Sequence, residues 1–407
     1  MQKKLLGYDE ALALILGQVP ILPAETVALD DALCRVLRAQ VLADRDQPPF
    51  DRSAMDGYAV QGAHVTTGRT FHITGSIAAG APKQVFPAEM SQVMRIATGA
   101  PVPDGADSVI PIEQSQEDSS ANPQSVQFDV GSQPPWKNIH RRGSDATAGQ
   151  VLIEPGTSMS PHHLGIAATV GAVQLEVSQL PRITLLTSGD EVRSPDTPTG
   201  NLQLQQIRNS NGPMLKAICQ SLGTPLLTHE HVVDEPEQTL AAARQAVAQS
   251  HLVLTAGGVS VGSRDLLPWA WEKLGFKTVL HGVAIQPGRP LFVAEGESKL
   301  IVGLPGNPVS VLATAHLFVW PIISKLLGRL PALPWQQVKL ASAIRAKRTR
   351  RMFRTARHVG GGVVEAVQWQ GSGDLMHTAA ADGIVQLPLV DGQIEAGTGV
   401  PFLSLLR

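Results

Sequence analysis

Cysteine is scarce in this chain: 2 in 407 residues, Cys34 and Cys219, with no CxxC pair and no Cys/His cluster at zinc spacing. That excludes a disulfide scaffold and a zinc finger, and a reducing, cytoplasmic setting is the expectation. Charge of one sign is scarce too. Lys and Arg total 33 against 35 Asp and Glu, a formal charge of −2. The surface as a whole is therefore not made to hold nucleic acid or anionic lipid, and any ligand charge must be met locally. Long apolar runs are missing as well. The longest, residues 309–323, carries Ser310, Thr314, His316 and Pro321 and stops short of the roughly 20 residues that cross a bilayer. Near the N-terminus Asp9 and Glu10 break what would have to be the apolar core of a signal peptide, so an amphipathic helix is expected there, and neither a membrane nor nucleic acid is an expected partner. The nucleotide fingerprints GxxxxGK(S/T) and GxGxxG with its acidic partner do not occur.

What the chain has in quantity is glycine and proline, 38 and 30 residues, beside 43% hydrophobic residues. This is a loop-rich globular composition, and at roughly 150 residues per domain the length argues for two to four compact units. Residues 1–47 read as helical, with Leu5, Leu12, Leu16, Ala32 and Val36 near helical spacing, up to Pro48-Pro49. Short apolar runs at 71–74, 92–96 and 108–112 predict a small β-domain, and the polar stretch 115–135 reads as a mobile loop inside it. Residues 181–330 alternate strand-like and helix-like runs in the manner of a parallel α/β sheet. Strands are expected at 183–187, 226–233 and 251–255, and helices at 213–222 capped by Asn211, at 236–249 capped by Asp234, and from Val309 onward. The tail returns to short strands at 338–344, 363–369 and 384–389. The expected organisation is a helical or mixed linker domain from 1–50 and 141–180, a small β-domain over 51–140, the α/β domain over 181–330, and a C-terminal β-domain over 331–407.

In open α/β sheets ligands sit beyond the carboxyl ends of the strands, where helix N-termini and free amides converge. Three loops fall there: Thr187-Ser188-Gly189-Asp190-Glu191, the glycine-rich run from Ala256 through Gly257, Gly258, Ser260, Gly262 and Ser263 to Arg264-Asp265, and Gly303-Leu304-Pro305-Gly306-Asn307-Pro308. Glycines let the backbone approach an anionic group, and the hydroxyls of Ser188, Ser260 and Ser263 add donors, so the outline is that of a phosphate site. Its alternative is that these glycines only turn the chain. Glu191 and Asp265 end two of the loops and could hold a hard cation such as Mg²⁺ between them, or merely cap helices. Gln286-Pro287-Gly288-Arg289-Pro290 sets one guanidinium in a rigid turn, suited to phosphate or an oxyanion, or to a surface ion pair.

Other groups are less specific. Asp56 and Asp145, taken alone, are ordinary turn carboxylates. The basic run 345–358 has six arginines and only Phe353 as an aromatic partner, which suits an anion-binding rim or a solvated strand better than a nucleic-acid footprint. His229 and His231 share a strand face without a third metal ligand nearby. Both cysteines read as small core residues on apolar helix faces.

Six segments, in this order along the chain, resemble the motif set of the molybdopterin molybdenumtransferases, the MoeA and gephyrin E-domain family. They are Ser53-Ala54-Met55-Asp56-Gly57-Tyr58-Ala59, Thr98-Gly99-Ala100-Pro101-Val102-Pro103, Arg142-Gly143-Ser144-Asp145, Thr187-Ser188-Gly189-Asp190-Glu191, Gly257-Gly258-Val259-Ser260-Val261-Gly262 and Leu304-Pro305-Gly306-Asn307-Pro308-Val309-Ser310. The resemblance implies an elongated multi-domain chain of α/β and small β-domains: a MogA-like parallel α/β domain that binds molybdopterin, and a C-terminal β-barrel-like domain. It implies a homodimer in which the α/β domain of one subunit faces the Asp56 domain of the other. It implies Mg²⁺-dependent insertion of molybdate into adenylylated molybdopterin with release of AMP, and a molybdopterin adenylyltransferase and molybdoenzymes as candidate partners.

Carried over position by position, the family's functional residues fall on Asp56, Thr98, Asp145, Glu191, Asp234, Asp265, Pro305, Pro308 and Ser372. With the loop reading this makes Asp56, Thr98, Glu191, Asp265 and Arg289 the expected catalytic set, with Glu191, Asp265 and Asp56 toward the metal. Ser188, Gly189, Asp234, Gly257, Gly258, Ser260, Gly262, Pro305, Gly306, Pro308 and Ser372 are expected to contact the pterin substrate. The chain departs from the family pattern at Gln286, Arg289 and Pro268, where lysines are common, and at Thr349-Arg350-Arg351-Met352-Phe353, which lacks the family's Glu. Those departures leave a second expectation open, a carrier that binds molybdopterin and inserts metal poorly. A third, a scaffold like the gephyrin E domain, has no dedicated feature here.

Overall fold

The computed structural model describes residues 5–258 and 266–406. Helix α1 (Tyr8–Gly17) stops ahead of Pro20 and Pro23, neither of which can donate to a continuing helix. The helical expectation for residues 1–47 is overturned beyond that point. Ala24–Ala28 pairs antiparallel with Gln174–Ser178, and Val41–Leu42 with Val151–Ile153, around a core that includes Leu37, Met159 and helix α2 (Pro161–Thr169). Cys34 is no helix-face core residue either: it is exposed in a turn at φ 64°.

The next unit is a six-stranded sheet in the order Ser108–Pro111, Gly57–Val60, Gln92–Ile96, Thr70–Ile77, Ser125–Phe128, Ser115–Asp118. The last two strands form an antiparallel hairpin inside the stretch expected to be a mobile loop. Val126 and Phe128 alternate into the core, and Glu117 receives the Arg95 Nε at 2.8 Å and the Tyr58 hydroxyl. Those donors, Arg95 foremost, hold the Glu117 carboxyl down at about 2. A polar composition thus conceals two residues that bury and one that is clamped.

The α/β unit carries a sheet ordered Thr228–Val232, Ile183–Ser188, Leu252–Ala256, Lys299–Leu304, Phe292–Gly296, Lys277–His281, with the first four strands parallel and the last two antiparallel. Buried on both faces, the parallel strands read as continuous apolar runs. Leu185, Leu254 and Val302 point to one core with α1, α3 (Asn211–Ser221) and α6 (Pro308–Leu326); Leu186, Val253 and Ile301 point to the other with α4 (Pro236–Gln249) and α5 (Leu266–Lys273). Two caps differ from expectation by one residue. Pro236 at the first helical position places Glu235, not Asp234, at the N-cap of α4, where its carboxylate accepts from Gln238 N at 2.9 Å. Asn211 is the first residue of α3, behind Ser210. Among the described residues α6 is the one helix long and apolar enough to cross a membrane, yet 83% of its apolar window is buried inside the protein.

Strands Gln336–Leu340, Arg351–Gly360, Val363–Ala366, Gly383–Gln386 and Gly399–Ser404 close into a five-stranded C-terminal barrel, the ring completed by pairing of Arg351–Gly360 with Gly383–Gln386. The basic run therefore lies on a barrel strand, with Phe353 and Ala356 buried.

The chain end is fastened to α6 by one imidazole. A turn of π-helix at Ala315–Val319 buries His316, whose Nδ1–H donates to Leu312 O at 2.8 Å while Nε2 accepts from Leu406 N at 3.1 Å. Burial pushes this histidine down to about 4. The unfolded chain binds that proton from about pH 6.5 downward and the native chain does not until about 4. Stability is thus unaffected above pH 6.5 and lost as the pH falls through the interval, by roughly 3 kcal/mol in all. Urea titrations should show His316→Gln losing markedly less stability than the parent between pH 6.5 and 4; equal losses would remove His316 as the acid-sensitive group.

Candidate functional site

The four parallel strands end together at Ser188, Val232, Ala256 and Leu304, and a cleft of about 1000 Å³ lies beyond them. Thr187, Ser188, Gly189, Glu191, Asp234, Gly257, Gly258, Pro305, Gly306 and Pro308 line it, together with the segment 206–211 and, from the C-terminal barrel, residues 373–376. The glycine loop rests directly on the first strand. A Cβ on Gly257 (φ +90°) would stand 2.7 Å from Ser188 O, and one on Gly258 (φ +64°) 2.7 Å from Ser188 Oγ. Beneath that loop the Ser188 hydroxyl is buried without a hydrogen-bond partner. An unpaired buried hydroxyl costs about 1–3 kcal/mol, which is tolerable where a ligand or a loop movement supplies the missing acceptor.

Acidic groups gather on one wall. The Glu191 carboxylate folds back over Gly189, whose Cβ would lie 3.0 Å from its Oε2, and it is exposed to the cleft with no ion-pair partner among the described residues. Asp234 N donates to Asp190 Oδ1 at 3.3 Å, joining the loop after the edge strand to the loop after its neighbour. Asp374 enters from the barrel, held by Gln370 N at 2.9 Å and by the His377 ring, and these hydrogen bonds, Gln370 first, lower its carboxyl below the usual range. Glu191 and Asp234 offer the oxygen donors that suit Mg²⁺. No cluster of three or more His, Cys, Asp or Glu side chains is gathered for a metal among the described residues, so phosphate oxygens of a ligand would have to complete any such site.

A second basin of about 580 Å³ adjoins the first, and Pro290, Pro305, Gly306 and Asn307 line both. Its other walls are Gln286–Arg289 and, from the barrel, Arg350, Trp369, Gly371 and Ser372; among the described residues it has two guanidinium groups and no carboxylate. The turn that presents Arg289 requires glycine at 288, where φ is +105° and a Cβ would stand 2.4 Å from Thr314 Cγ2. The dividing wall is pinned from both sides: Asn211 Nδ2 donates to Gly306 O at 2.7 Å, and Asn307 Nδ2 to Ser372 Oγ at 2.8 Å. Arg351 faces away from this basin, toward Asp9 at 3.5 Å.

Asp56 and Thr98 line neither basin. Thr98 N and Oγ1 reach Asp56 Oδ1 at 2.7 and 3.0 Å and hold that carboxyl below its ordinary value, the backbone bond most strongly. The same edge carries Asp145, with His140 Nε2 at 2.8 Å and Arg52 at 3.9 Å, because Arg52–Ser53 pairs with Ile139–His140 and with the Ala100 turn. Ser260, Gly262 and Asp265 lie outside the described residues. Reasoning from sequence missed Asn211, Arg350 and Asp374. Asp374 follows the small loop Gly371-Ser372-Gly373 and Arg350 sits in the basic run, but only the barrel's docking shows that either faces the cleft.

Comparison with known proteins gives one answer along the whole chain. Residues 6–171 match the family model of the MoeA N-terminal region (domain I and II), 184–325 the model described as "Probable molybdopterin binding domain", and 337–405 that of the MoeA C-terminal region (domain IV). The molybdopterin molybdenumtransferase of Synechococcus elongatus is 33% identical over 98% of this chain and all of its own, and that of Staphylococcus aureus 31% over 80% of this chain and 77% of its own. A crystal structure of a molybdopterin biosynthesis MoeA protein from Pyrococcus horikoshii superposes with a TM-score of 0.81 at 26% identity, covering 99% of this chain and 100% of that one.

Because the glycine loop has no room above Ser188, Gly257→Ala should destabilise the protein by about 1–3 kcal/mol through strain at positive φ and contact with a backbone oxygen. A thermal midpoint equal to the parent's would show that the loop does not rest on the strand in solution.

Proposed function

The chain belongs to the molybdopterin molybdenumtransferase family and is a transferase of molybdenum cofactor biosynthesis, and from that premise we propose how the two basins divide the reaction. Adenylylated molybdopterin lies along the larger cleft, its diphosphate over the Ser188 to Glu191 and Gly257-Gly258 loops, and molybdate enters the smaller basin. Charge segregation across one shared wall is the observation that carries this reading. Glu191, Asp234 and Asp374 line one side of Pro305-Gly306-Asn307, where Arg208 is turned to Thr197 O, and Arg289 and Arg350 line the other, so a diphosphate with its cation and a free oxyanion can stand next to each other without sharing a counter-charge.

Glu191 and Asp234, joined in this reading by Asp265, are the residues that would hold Mg²⁺, which supplies charge neutralisation on the phosphate oxygens. The glycine loop orients the phosphates through backbone N–H groups. Arg289 and Arg350 hold the oxyanion, and the Asn307 to Ser372 clamp fixes the wall between the two reactants. Pre-orientation and charge placement are the protein's contribution; a water oxygen would add to phosphorus as the phosphoanhydride bond breaks and AMP leaves, and the dithiolene sulfurs would displace oxide from molybdate, which leaves as water. The setting is cytoplasmic in this reading.

Asp56, Thr98 and Asp145 stand on an edge away from their own chain's cleft, which supports a homodimer whose cleft is completed by the Asp56 edge of the second copy. Mixing two variants, Asp56→Asn and Glu191→Gln, each inactive alone, should then restore about a quarter of wild-type AMP release, since half of the randomly paired dimers hold one intact site. No recovery would mean that both carboxylates act within one chain. Gln286, a neutral amide in the oxyanion basin, favours a carrier as the second reading. Arg350→Ala separates the two. In an inserting enzyme it raises the molybdate concentration needed for half-maximal insertion roughly tenfold or more and leaves binding of the adenylylated pterin intact, as expected for loss of one charge-assisted contact. In a carrier no molybdate-dependent AMP release exists to be altered.

A further inference from the structure

His229 and His231 converge on a single hydroxyl. The side chains of strand Thr228–Val232 at those two positions meet Thr187 Oγ1, His229 through Nε2 and His231 through Nδ1, each at 3.2 Å. A third group reaches the same oxygen: Asn209 Nδ2 donates at 3.0 Å. The orientation of that amide is fixed, because its oxygen accepts the Gly212 N–H at 2.9 Å. The His229 ring in turn lies against Gly212 in the first turn of α3, where a Cβ would stand 2.4 Å from its Cε1. Thr187 and Asn209 both line the large cleft.

A hydroxyl has one proton and two lone pairs. Asn209 takes one lone pair. Of the two imidazoles, one can donate to the remaining lone pair and the other must accept the hydroxyl proton. If both ring nitrogens carry protons, three donors compete for two lone pairs, and the hydroxyl proton is left with Glu230 O at 3.5 Å, which is no adequate hydrogen bond.

We infer that His229 and His231 are positioning residues for the adenylylated-substrate cleft, holding Thr187 and Asn209 through a hub that admits one imidazolium and not two. This rests on the reading of that cleft given above. His231 is exposed. His229 is exposed on the same strand with its ring laid on Gly212; Lys216 on α3 and His231 are the positive groups acting on it, while Arg208, beside Asn209, is turned to Thr197 O. Burial first, then those two positive neighbours, keep its imidazole below the usual histidine range. When the second proton does bind, the wall formed by Thr187 and Asn209 loses its anchor and substrate binding weakens ahead of the chemical step.

The test uses the full-length protein with adenylylated molybdopterin, Mg²⁺ and molybdate between pH 8 and 5.5. KM for the adenylylated substrate should rise at least about threefold, and no more than about fivefold, between pH 6.5 and 5.5, the span open to one protonation held below the ordinary histidine value, with kcat changing much less. In His231→Gln, which keeps an amide donor and acceptor but cannot become charged, the rise should shrink to less than about threefold. A flat wild-type KM, or parallel rises in the two proteins, would overturn the inference. Histidine ¹H–¹⁵N spectra read the hub without turnover. The two rings should take up their protons in two separate steps, whereas joint titration would sink the idea even in a protein that releases no AMP. Absence of AMP release at every pH, with the spectra as expected, would instead count against the assigned reaction and leave the hub standing.

Discussion

One short ladder of main-chain hydrogen bonds determines whether this molecule has a shared wall at all. Leu6 O receives Ala284 N at 2.8 Å, Ala284 O receives Arg351 N at 3.0 Å, and Ile285-Gln286 then runs parallel to Arg351-Met352. The N-terminal segment, the α/β unit and the barrel are thereby joined edge to edge, and backbone bonds of this kind fix register as well as contact. Tyr8 closes the same junction with its side chain, lying edge-on to Phe318 of α6 at 5.5 Å and to Phe353 of the barrel at 5.3 Å. The second basin exists because of this junction. Its walls are taken in part from residues 285–290 and in part from Arg350 and residues 369–372, so a barrel displaced by one residue would carry Arg350 and Ser372 away from Arg289.

Within that frame the chemistry asked of the protein is electrostatic. What the described walls offer is a glycine loop, carboxylates on one side, the guanidinium groups of Arg289 and Arg350 on the other and a thin partition. Such a site works by holding two anionic reactants in mutual reach while preventing them from repelling one another. The partition must be both thin and rigid. Gly306 supplies thinness, since a Cβ there would already stand 3.8 Å from the Cα of Gly257, and Asn211 and Asn307 supply rigidity by tying it to α3 and to the barrel.

The parts of this arrangement that could be read in the sequence are those with short-range signals. Parallel strands buried on both faces declare themselves as apolar runs, and glycines at their carboxyl ends mark the loops, so the residues from Ser188 to Glu191 and from Pro305 to Pro308 were legible. Signals at long range were not. The strand Ala24–Ala28 takes its conformation from Gln174–Ser178, some 150 positions away in the chain, and the hairpin at 115–128 is polar except for the two residues that matter. Arg350 and Asp374 were invisible as site residues for the same reason: nothing near them in the sequence encodes the docking of the barrel on the α/β unit. The pair His229 and His231 was visible as a pattern, but its meaning depended on Thr187, which lies on the neighbouring strand.

The departure at residues 286 and 289 has a consistent physical account. Where the family commonly presents lysines, this basin presents a neutral amide at Gln286 and guanidinium groups at Arg289 and Arg350. In the proposed reading a tetrahedral oxyanion with two negative charges would still be met by two positive groups, so the basin's charge suits it although the carriers have changed. The character of the contact differs. An ammonium is a compact, strongly hydrated point charge, whereas a guanidinium is planar, less hydrated and able to grip two oxygens at once. The exchange therefore trades adaptable attraction for fixed geometry, which is tolerable only if the turn at Gly288 and the bend at Arg350, just ahead of barrel strand Arg351–Gly360, are held in register. The ladder from Leu6 to Met352 provides that register, and in this chain the oxyanion basin depends on it more heavily than a basin lined with flexible lysines would.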